Sequence, residues 1–312
     1  MNHKKVILIW IMVIGALLFS GCGGGASSDG STDSVQRSVF YDGNLRWISI
    51  NVYHGDAHLI TKNDISILID GGTYENGVSK VIPFLKESKI DTLDEVMITH
   101  AHGDHYGGIK ALLEDNTIKI KKLSMYMPTD EQLNEKTYED LINIQSLAMS
   151  RNIIISSIEQ GNKFEFDSQS YLEVLYIYDG VNTPVGRTGI NGMSAITMIY
   201  DNNNKFLLTG DLDNKVGTYL AANATNLSAD VLKVPHHAIE EVPPNSFFDK
   251  VGASDFIITA PEKYWQDGYA SSEQVRTYVA YNDINAYING IHGNIIILST
   301  TDGYTISVDN SN

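Results

Sequence analysis

The amino-acid sequence predicts a layered α/β fold within a single domain. Two observations predict it. Short apolar runs alternate with helical patterns from Val39 to the C-terminus, and neither an internal repeat nor a second linker interrupts them. The composition agrees, because a chain of 312 residues with 43% apolar and 19% charged residues is typical of a folded globular protein. Intrinsic disorder, fibrous repeats and a polytopic membrane protein are excluded.

The strands and helices follow from the period of the apolar residues. Alternating or continuous apolar runs predict strands over residues 46–52, 65–69, 95–99, 121–127, 153–156, 171–178, 195–200, 205–208, 231–234, 256–259, 294–299 and 303–308. Helical spacing predicts helices over residues 77–88, 108–114, 131–151 and 272–281. Strands and helices mixed at this density indicate sheets covered by helices.

Charge and cysteine content exclude several functional classes. Lys and Arg number 22 against 38 Asp and Glu, which gives a formal net charge of −16 without any basic block. This balance disfavours electrostatic binding to duplex nucleic acid or to anionic lipid. A single cysteine makes a disulfide framework impossible.

The N-terminus is predicted to direct the protein out of the cytoplasm. Lys4 and Lys5 precede an apolar stretch, residues 6–19, which has the length of a signal-peptide core and is too short to span a bilayer comfortably. Small residues before Cys22 resemble the lipobox of bacterial lipoproteins. We therefore expect residues 1–21 to be a signal peptide and Cys22 to carry a lipid that anchors the protein to the bacterial membrane. The alternative is an ordinary secretory signal followed by an unrelated thiol.

Two further segments follow from this interpretation. Residues 22–36, rich in Gly and Ser, are predicted to be a flexible tether, and residues 37–312 to form the functional domain. Removal of residues 1–21 takes away two lysines and no acid, so the mature net charge would be −18.

The chemistry of the chain is concentrated in residues 98–105, ITHAHGDH, where a predicted strand ends. Alternation along the strand lets His100 and His102 point the same way, and Gly103 permits a bend that turns Asp104 and His105 towards a neighbouring point. Imidazole and carboxylate ligands suit zinc, and manganese or iron could also bind. The loop therefore predicts two divalent metal ions, which at about 3.5–4 Å apart could share a hydroxide nucleophile.

This motif resembles the HxHxDH signature of the metallo-β-lactamase superfamily. Asp70 resembles the early strand-end aspartate of that family, Asp211 after Thr209 and Gly210 resembles its metal-bridging carboxylate, and residues 234–237, VPHH, resemble its last histidine ligand. Residues 51–57 (NVYHGDA) and 191–194 (NGMS) are similar to segments of the hydrolase domain of the ComEC DNA-uptake proteins. The resemblance covers residues 45–308 and implies an αββα sandwich with the metal site at one edge.

The resemblance also implies roles for individual residues. The expected metal ligands are His100, His102, Asp104, His105, Asp211 and His236. Of the two adjacent histidines we expect only His236 to bind metal, because adjacent side chains diverge. We expect supporting or substrate contacts from Asp56, Asp70, Asn191, Ser194 and His237. Asp104 and His292 are the candidate catalytic residues, although His292 could simply be a hydrogen-bonded surface histidine.

One departure from the family pattern concerns the ligands. Most superfamily members place another histidine ligand between the HxHxDH loop and the bridging aspartate, but no histidine lies between His105 and His236 here. Asn191 or Ser194 could complete that shell directly or through water. Ala238 also stands where a glycine usually follows the paired histidines.

The predicted function is hydrolysis of a phosphodiester by a metal-bound hydroxide, outside the cytoplasm. The substrate would be nucleic acid or a smaller phosphoester. The resemblance suggests single-stranded DNA, whereas the charge of −18 disfavours a long polyanion. Two alternatives remain: a lactone- or lactam-type acyl hydrolase, and a binding lipoprotein associated with DNA uptake that lost turnover with the missing histidine. The sequence identifies no protein partner.

Overall fold

The computed structural model describes residues 42–128, 135–266 and 268–310. The predicted signal peptide, Cys22 and the tether lie outside these residues. Within the described part, no helix has both the length and the apolar character needed to cross a membrane.

Most strands of the described residues belong to two large sheets. In chain order the strands are β1 (Leu45–Ser49), β2 (His58–Lys62), β3 (Ile65–Ile69), β4 (Thr92–Leu93), β5 (Glu95–Ile98), β6 (Lys119–Ile120), β7 (Lys122–Met125), β8 (Ile154–Ser156), β9 (Lys163–Glu165), β10 (Ser170–Tyr176), β11 (Ile196–Asp201), β12 (Asn204–Leu208), β13 (Val231–Lys233), β14 (Asp255–Ile258), β15 (Asn285–Ile288), β16 (Ile295–Thr300) and β17 (Gly303–Val308). The first sheet has the order β17-β16-β1-β2-β3-β5-β7-β8, and the second β15-β14-β13-β12-β11-β10-β9. A short pair, β4 and β6, stands apart.

The helices lie in two sets along the chain. The first set is α1, α2 (Gly103–Asp115) and α3 (Glu135–Ser150), where α1 covers residues 74–87 as the continuous run Tyr74–Asn76, Gly77–Val81 and Ile82–Glu87. The second set is α4 (Asn214–Asn223), α5 (Asn245–Val251), α6 (Glu262–Gln266), α7 (Ala270–Tyr281) and α8 (Asn289–His292). A helical turn of the 3₁₀ type occurs at Asn191–Met193, whereas Pro235–Ala238 is a turn in which both histidines are left-handed.

Three apolar clusters show that these elements form four layers. One cluster joins the first sheet to α1, α2 and α3, and a second joins the second sheet to α4, α5 and α7. The third lies between the sheets, where Trp47 and Ile67 of the first sheet meet Phe206 and Leu172 of the second. Burial of these side chains is the main favourable contribution to folding. The predicted layered α/β class and its αββα sandwich are therefore confirmed.

A buried polar network joins the sheets at the end where β2 and β11 finish. The Lys62 ammonium lies 2.7 Å from Asp201 Oδ1 and donates to Ser170 Oγ at 2.6 Å. Ser299 Oγ donates to the other Asp201 oxygen at 2.6 Å. Because every charged partner is hydrogen-bonded, the cost of burying this ion pair is largely offset.

Each predicted strand corresponds to an observed one, but several elements were missed. The strand β2 was missed because its polar end residues, His58 and Lys62, are buried, so its sequence does not show the apolar pattern of a buried strand. The helix α2 begins at Gly103, within the histidine motif, and not at residue 108 as predicted. The predicted helix 131–151 is observed as α3; its first predicted residues lie outside the described part.

Candidate metal centre

Strands of both sheets end at one edge of the sandwich. The strands β3 and β5 are parallel, and so are β12, β13 and β14, so the loops after them meet at a common edge. These loops carry most of the polar residues of interest: Asp70 after β3, residues 99–102 after β5, Asp211 after β12, His236 and His237 after β13, and Thr259 after β14.

The helix α2 is held against the loop that follows β3. A Cβ atom on Gly108 would overlap the carbonyl group of Gly71, so this approach requires glycine. Two backbone hydrogen bonds fix it, from Gly71 N to His105 O and from Gly108 N to Gly72 O, both at 2.9 Å. The first turn of α2, with Asp104 and His105, is thereby placed beside Asp70.

Asp70 orients two imidazole rings from a fully buried position. Its Oδ2 lies 2.8 Å from His105 Nδ1 and accepts from Thr99 Oγ1 at 2.7 Å, while Oδ1 accepts from Thr99 N at 2.8 Å. Since the Thr99 hydroxyl donates to Asp70, it is free to accept from His100 Nδ1 at 3.1 Å. Both imidazoles then carry hydrogen on Nδ1 and turn Nε2 towards the centre.

We expect Asp70→Asn to weaken metal binding by about 10- to 100-fold, the usual effect of losing a group that orients a histidine ligand. An amide NH₂ cannot accept from His105 Nδ1, so the ring would lose its fixed tautomer. Calorimetric titration of the chelator-treated protein with Zn²⁺ measures the effect. Asp94→Asn is the matched control, since Asp94 accepts from Ser66 N at the opposite end of β3. Equal affinities for the two variants would contradict the role of Asp70.

Four side chains form the first of two donor groups, which we call group A. The potential ligand atoms of Asp104, His105, Asp211 and His237 all lie within 4.8 Å of one another. Asp211 Oδ2 is 3.1 Å from His105 Nε2, and Asp211 Oδ1 is 3.2 Å from His237 Nε2. Asp104 Oδ2 lies 3.6 Å from His237 Nε2.

The member of the histidine pair in group A is His237, whereas the sequence analysis favoured His236. His237 Nδ1 lies 2.8 Å from Thr259 Oγ1, which itself donates to Asp56 Oδ1 at 2.7 Å. The hydroxyl therefore accepts the Nδ1 hydrogen, and Nε2 is turned towards Asp104 and Asp211. The expectation for His236 assumed an extended backbone with diverging side chains, but both histidines are left-handed, with φ of 47° and 54°.

A second set of donors, group B, shares the carboxylate of Asp211. It consists of His100, His102 and Asp211, with potential ligand atoms also within 4.8 Å of one another. His100 Nε2 lies 3.1 Å from His102 Nδ1 and 3.7 Å from Asp211 Oδ2. Because Asp211 belongs to both groups, it is placed to bridge two cations.

The donor atoms fit divalent metal ions. His105 Nε2, His237 Nε2 and Asp211 Oδ1 are buried and make no hydrogen bond to any described residue, although they lie close to one another. Ligands of a tetrahedral ion bound at about 2.1 Å are about 3.4 Å apart, close to the 3.1–3.6 Å separations observed in group A. Imidazole nitrogen and carboxylate oxygen suit zinc, manganese or iron. The residues present can therefore hold such ions in both groups.

The carboxylates of the centre change the pKa values of the group A imidazoles. Burial alone would lower the pKa of His105, but the carboxylates of Asp211 and Asp70 raise it well above its ordinary value. Burial opposes protonation of His237 as well, yet Asp211 and Asp104 raise the pKa of His237 to about 10. The carboxylates thus favour the protonated form of both rings, and an ion that bound there would displace protons from them.

The imidazoles of group B differ in charge from those of group A. Burial and the neighbouring His105 hold the pKa of His100 well below its ordinary value. The pKa of His102 is also lowered, mainly by burial. These two rings are neutral near pH 7, which is the form that binds a metal ion.

A buried lysine supports the centre and was not singled out from the sequence. The Lys233 side chain is fully buried, its Nζ lies 2.5 Å from Asp56 Oδ2 and 3.6 Å from Asp211 Oδ1, and it donates to Gly210 O at 2.8 Å. Burial alone would raise the pKa of Asp56, but Lys233 and hydrogen bonds from histidines hold it well below its usual value. The available signal was a lysine within the otherwise apolar strand that leads to the paired histidines.

The remaining predicted residues differ in how close they lie to the centre. Ser194 Oγ accepts from Asp211 N at 3.0 Å, so it holds the backbone of the shared aspartate. The Asn191 amide nitrogen lies 3.5 Å from His236 Nε2. His292 is not brought into either group: its Nδ1 accepts from Ile288 N, and no contact recorded among the described residues joins it to the centre.

His54 lies nearer to the centre than His292 does. His54 Nε2 is 3.7 Å from Asp104 Oδ2, and its ring packs against His237 with centroids 5.1 Å apart. Its side chain is 45% exposed, so it faces both the centre and solvent.

Comparison with known proteins agrees with this geometry. The family model described as the metallo-β-lactamase superfamily matches residues 50–251, which include both donor groups. The chain belongs to the metallo-β-lactamase superfamily. Members of this superfamily are hydrolases, and the donor set is that of a metal-dependent one.

Individual relatives of this metallo-β-lactamase superfamily protein are distant. ComE operon protein 3 of Bacillus subtilis (strain 168) is 27% identical over 188 residues, which are 59% of this chain and 22% of that protein. The match therefore spans about a fifth of the length of the relative. The resemblance to ComEC-like proteins inferred from the sequence is confirmed.

Two solved structures are similar to this chain at low sequence identity, and the first of them shares its fold. A mutant of CmlA β-hydroxylase superposes with a TM-score of 0.51 and 10% identity, covering 81% of this chain and 53% of that chain. Igni18, a metallo hydrolase from Ignicoccus hospitalis, has a TM-score of 0.48 and 12% identity, covering 81% of this chain and 98% of its own.

Proposed function

We propose that the protein hydrolyses phosphodiesters with the help of two divalent cations. The observation that carries this proposal is the position of Asp211, whose carboxylate is shared by group A and group B. Two ions bound there would supply hydroxide at neutral pH and would stabilise negative charge developing on a substrate oxygen.

The two cations would attract an anionic substrate more strongly than a neutral ester or amide. Together with Lys233 they would balance the charge of a bound hydroxide and of the four carboxylates at the centre, which are Asp56, Asp70, Asp104 and Asp211. The chain as a whole is strongly negative, at −16. A small phosphodiester or an exposed strand end would be attracted locally, whereas a long polyanion would be repelled by the surrounding surface.

The residues of the chain divide into those that hold the cations and those that orient them. Asp70 and Thr259 fix the rings of His105 and His237, so that the donor atoms are arranged before an ion arrives. His54 is the exposed polar group beside Asp104, and it can donate a hydrogen bond to a bound substrate.

The test compares substrate classes on the purified protein loaded with Zn²⁺ or Mn²⁺. A generic phosphodiester should be hydrolysed, long single-stranded DNA should be hydrolysed more slowly, a lactone and a lactam should react at least about 100-fold more slowly than the phosphodiester, and EDTA should abolish turnover. Preferential opening of the lactone or lactam would replace the proposal with acyl hydrolysis. Metal binding without turnover of any of these substrates would favour a binding protein.

We further propose that the protein works outside the cytoplasm, anchored by a lipid on Cys22. The support is the apolar segment 6–19 followed by small residues and the lone cysteine. Mass spectrometry of the protein from bacterial membranes tests this proposal: diacylglycerol on Cys22 as the first residue is expected, and an unmodified thiol in a soluble fraction would refute it.

A further inference from the structure

Of the two adjacent histidines, His237 belongs to group A, whereas His236 belongs to neither donor group. His236 is only 15% exposed in its side chain, and its Nε2 lies 3.8 Å from Asp211 Oδ2. Group B meanwhile has one imidazole fewer than the superfamily pattern predicts, because no histidine lies between His105 and His236. We propose that His236 completes group B, so that the adjacent histidines serve two different ions.

Distances around one oxygen atom support this assignment. Asp211 Oδ2 lies 3.7 Å from His100 Nε2 and 3.8 Å from His236 Nε2. Donors of one tetrahedral ion are about 3.4 Å apart. Because His236 is not among the side chains whose ligand atoms lie within 4.8 Å of one another in group B, its ring would have to move towards His100 and His102 when an ion binds. A cation bound between these atoms would have imidazoles of His100, His102 and His236 together with the shared carboxylate.

The backbone explains how adjacent side chains reach two sites at the same edge. His236, His237 and Ala238 have φ values of 47°, 54° and 61°, and left-handed conformations are uncommon for residues that carry a Cβ atom. This turn places the two imidazole centroids 6.0 Å apart, with the rings inclined by 67°. Three consecutive unfavourable conformations at the centre are consistent with a functional constraint on both histidines.

The environment of His236 contains a further acceptor that a cation would satisfy. Asn191 Nδ2 lies 3.5 Å from His236 Nε2, and Asn191 Oδ1 is buried without a hydrogen-bond partner among the described residues. Rotation of this amide would exchange its nitrogen and oxygen, which would direct the oxygen towards His236 Nε2 and the neighbouring space. The site beside His236 therefore combines imidazole, carboxylate and amide oxygen.

The inference shares one assumption with the proposed function, namely that groups A and B bind metal ions. It can be tested without a substrate by counting the ions that the protein binds. Chelator-treated full-length protein is titrated with Co²⁺ or Zn²⁺, followed by calorimetry, metal analysis and the Co²⁺ absorption spectrum. The wild type should bind two ions. His236→Ala should bind one ion, with the affinity of the remaining site changed by less than about tenfold, because group A stays intact. Free imidazole should restore the second ion.

Two further variants keep the result interpretable. His292→Ala also removes an imidazole, at the end of α8, and should keep two ions, since His292 belongs to neither group. His236→Gln retains most of the side-chain volume. If this variant binds one ion and keeps the wild-type circular dichroism spectrum, the second ion is lost because a ligand is missing and not because the protein is misfolded.

Specific outcomes would overturn the assignment. Two ions bound by His236→Ala with wild-type affinity, or a single ion bound by the wild type, would each refute it. A wild type that binds two ions but leaves phosphodiesters intact would refute the proposed function alone, and the assignment of His236 would stand.

Discussion

Asp211→Asn should abolish both metal binding and hydrolysis while the sandwich stays folded. The carboxylate lies within 3.2 Å of Nε2 of His105 and of His237, and it also belongs to group B. An amide keeps the shape but removes the negative charge and one acceptor atom, so both ions would lose a shared ligand. We expect kcat/KM to fall by about 10²–10³-fold or more, the size of the effect of losing one strong electrostatic group in an active site.

Metal titration and hydrolysis of a phosphodiester measure this effect together. We expect the affinity for both ions to fall by more than about 100-fold, the upper end of what is seen when only a supporting residue is lost. Asp213→Asn is the matched control: Asp213 is a buried acid two residues further on, but it caps α4 by accepting from Val216 N, and asparagine caps helices equally well. A rate and an ion count in Asp211→Asn equal to those of the control would remove Asp211 from the centre.

Lys233→Met should lower the free energy of unfolding by about 3–5 kcal/mol in the presence of EDTA, because it leaves the buried Asp56 without its cation. Methionine fills most of the space of the lysine stem but cannot neutralise Asp56 or donate to Gly210 O. Urea denaturation followed by circular dichroism measures the change, and the chelator excludes any contribution from bound ions.

A second variant separates the loss of charge compensation from the loss of packing. The double variant Lys233→Met with Asp56→Asn removes the unpaired carboxylate as well, so it should recover much of the lost stability. If the single variant is destabilised by less than about 1 kcal/mol, or if the double variant is no more stable than the single one, the lysine does not act as the internal counter-ion of Asp56.

The fold was largely predictable because its signals are local. Each strand predicted from an apolar run corresponds to an observed strand, and the concentration of histidine and aspartate in residues 100–105 identified the centre. The strand β2 escaped because its ends are polar residues buried by partners distant in sequence, such as Asp201 for Lys62. Contacts of this kind do not affect the apolar periodicity of the strand's own sequence, so that periodicity cannot reveal them.

The arrangement of the candidate site was predictable only in part, for two physical reasons. The choice between His236 and His237 depended on a left-handed backbone, which the presence of Ala238 in place of glycine gave no reason to expect. The role of Lys233 depends on its burial beside Asp56. This contact forms only in the folded protein, where β13 lies next to the loop after β1, so the sequence alone does not show it. His292 was expected near a strand end, but it lies at the end of α8, where its Nδ1 accepts from Ile288 N and not from the centre.

The two sheets are held together by different interactions at the two ends of the sandwich. At one end they are joined by the ion pair of Lys62 and Asp201, which involves only side chains of the protein. At the other, ligands from the N-terminal half, His100 to His105, face Asp211 and His237 from the C-terminal half. A metal ion bound there would act as a reversible cross-link between the halves of the chain, so the concentration of metal around the protein would set its stability as well as its chemistry.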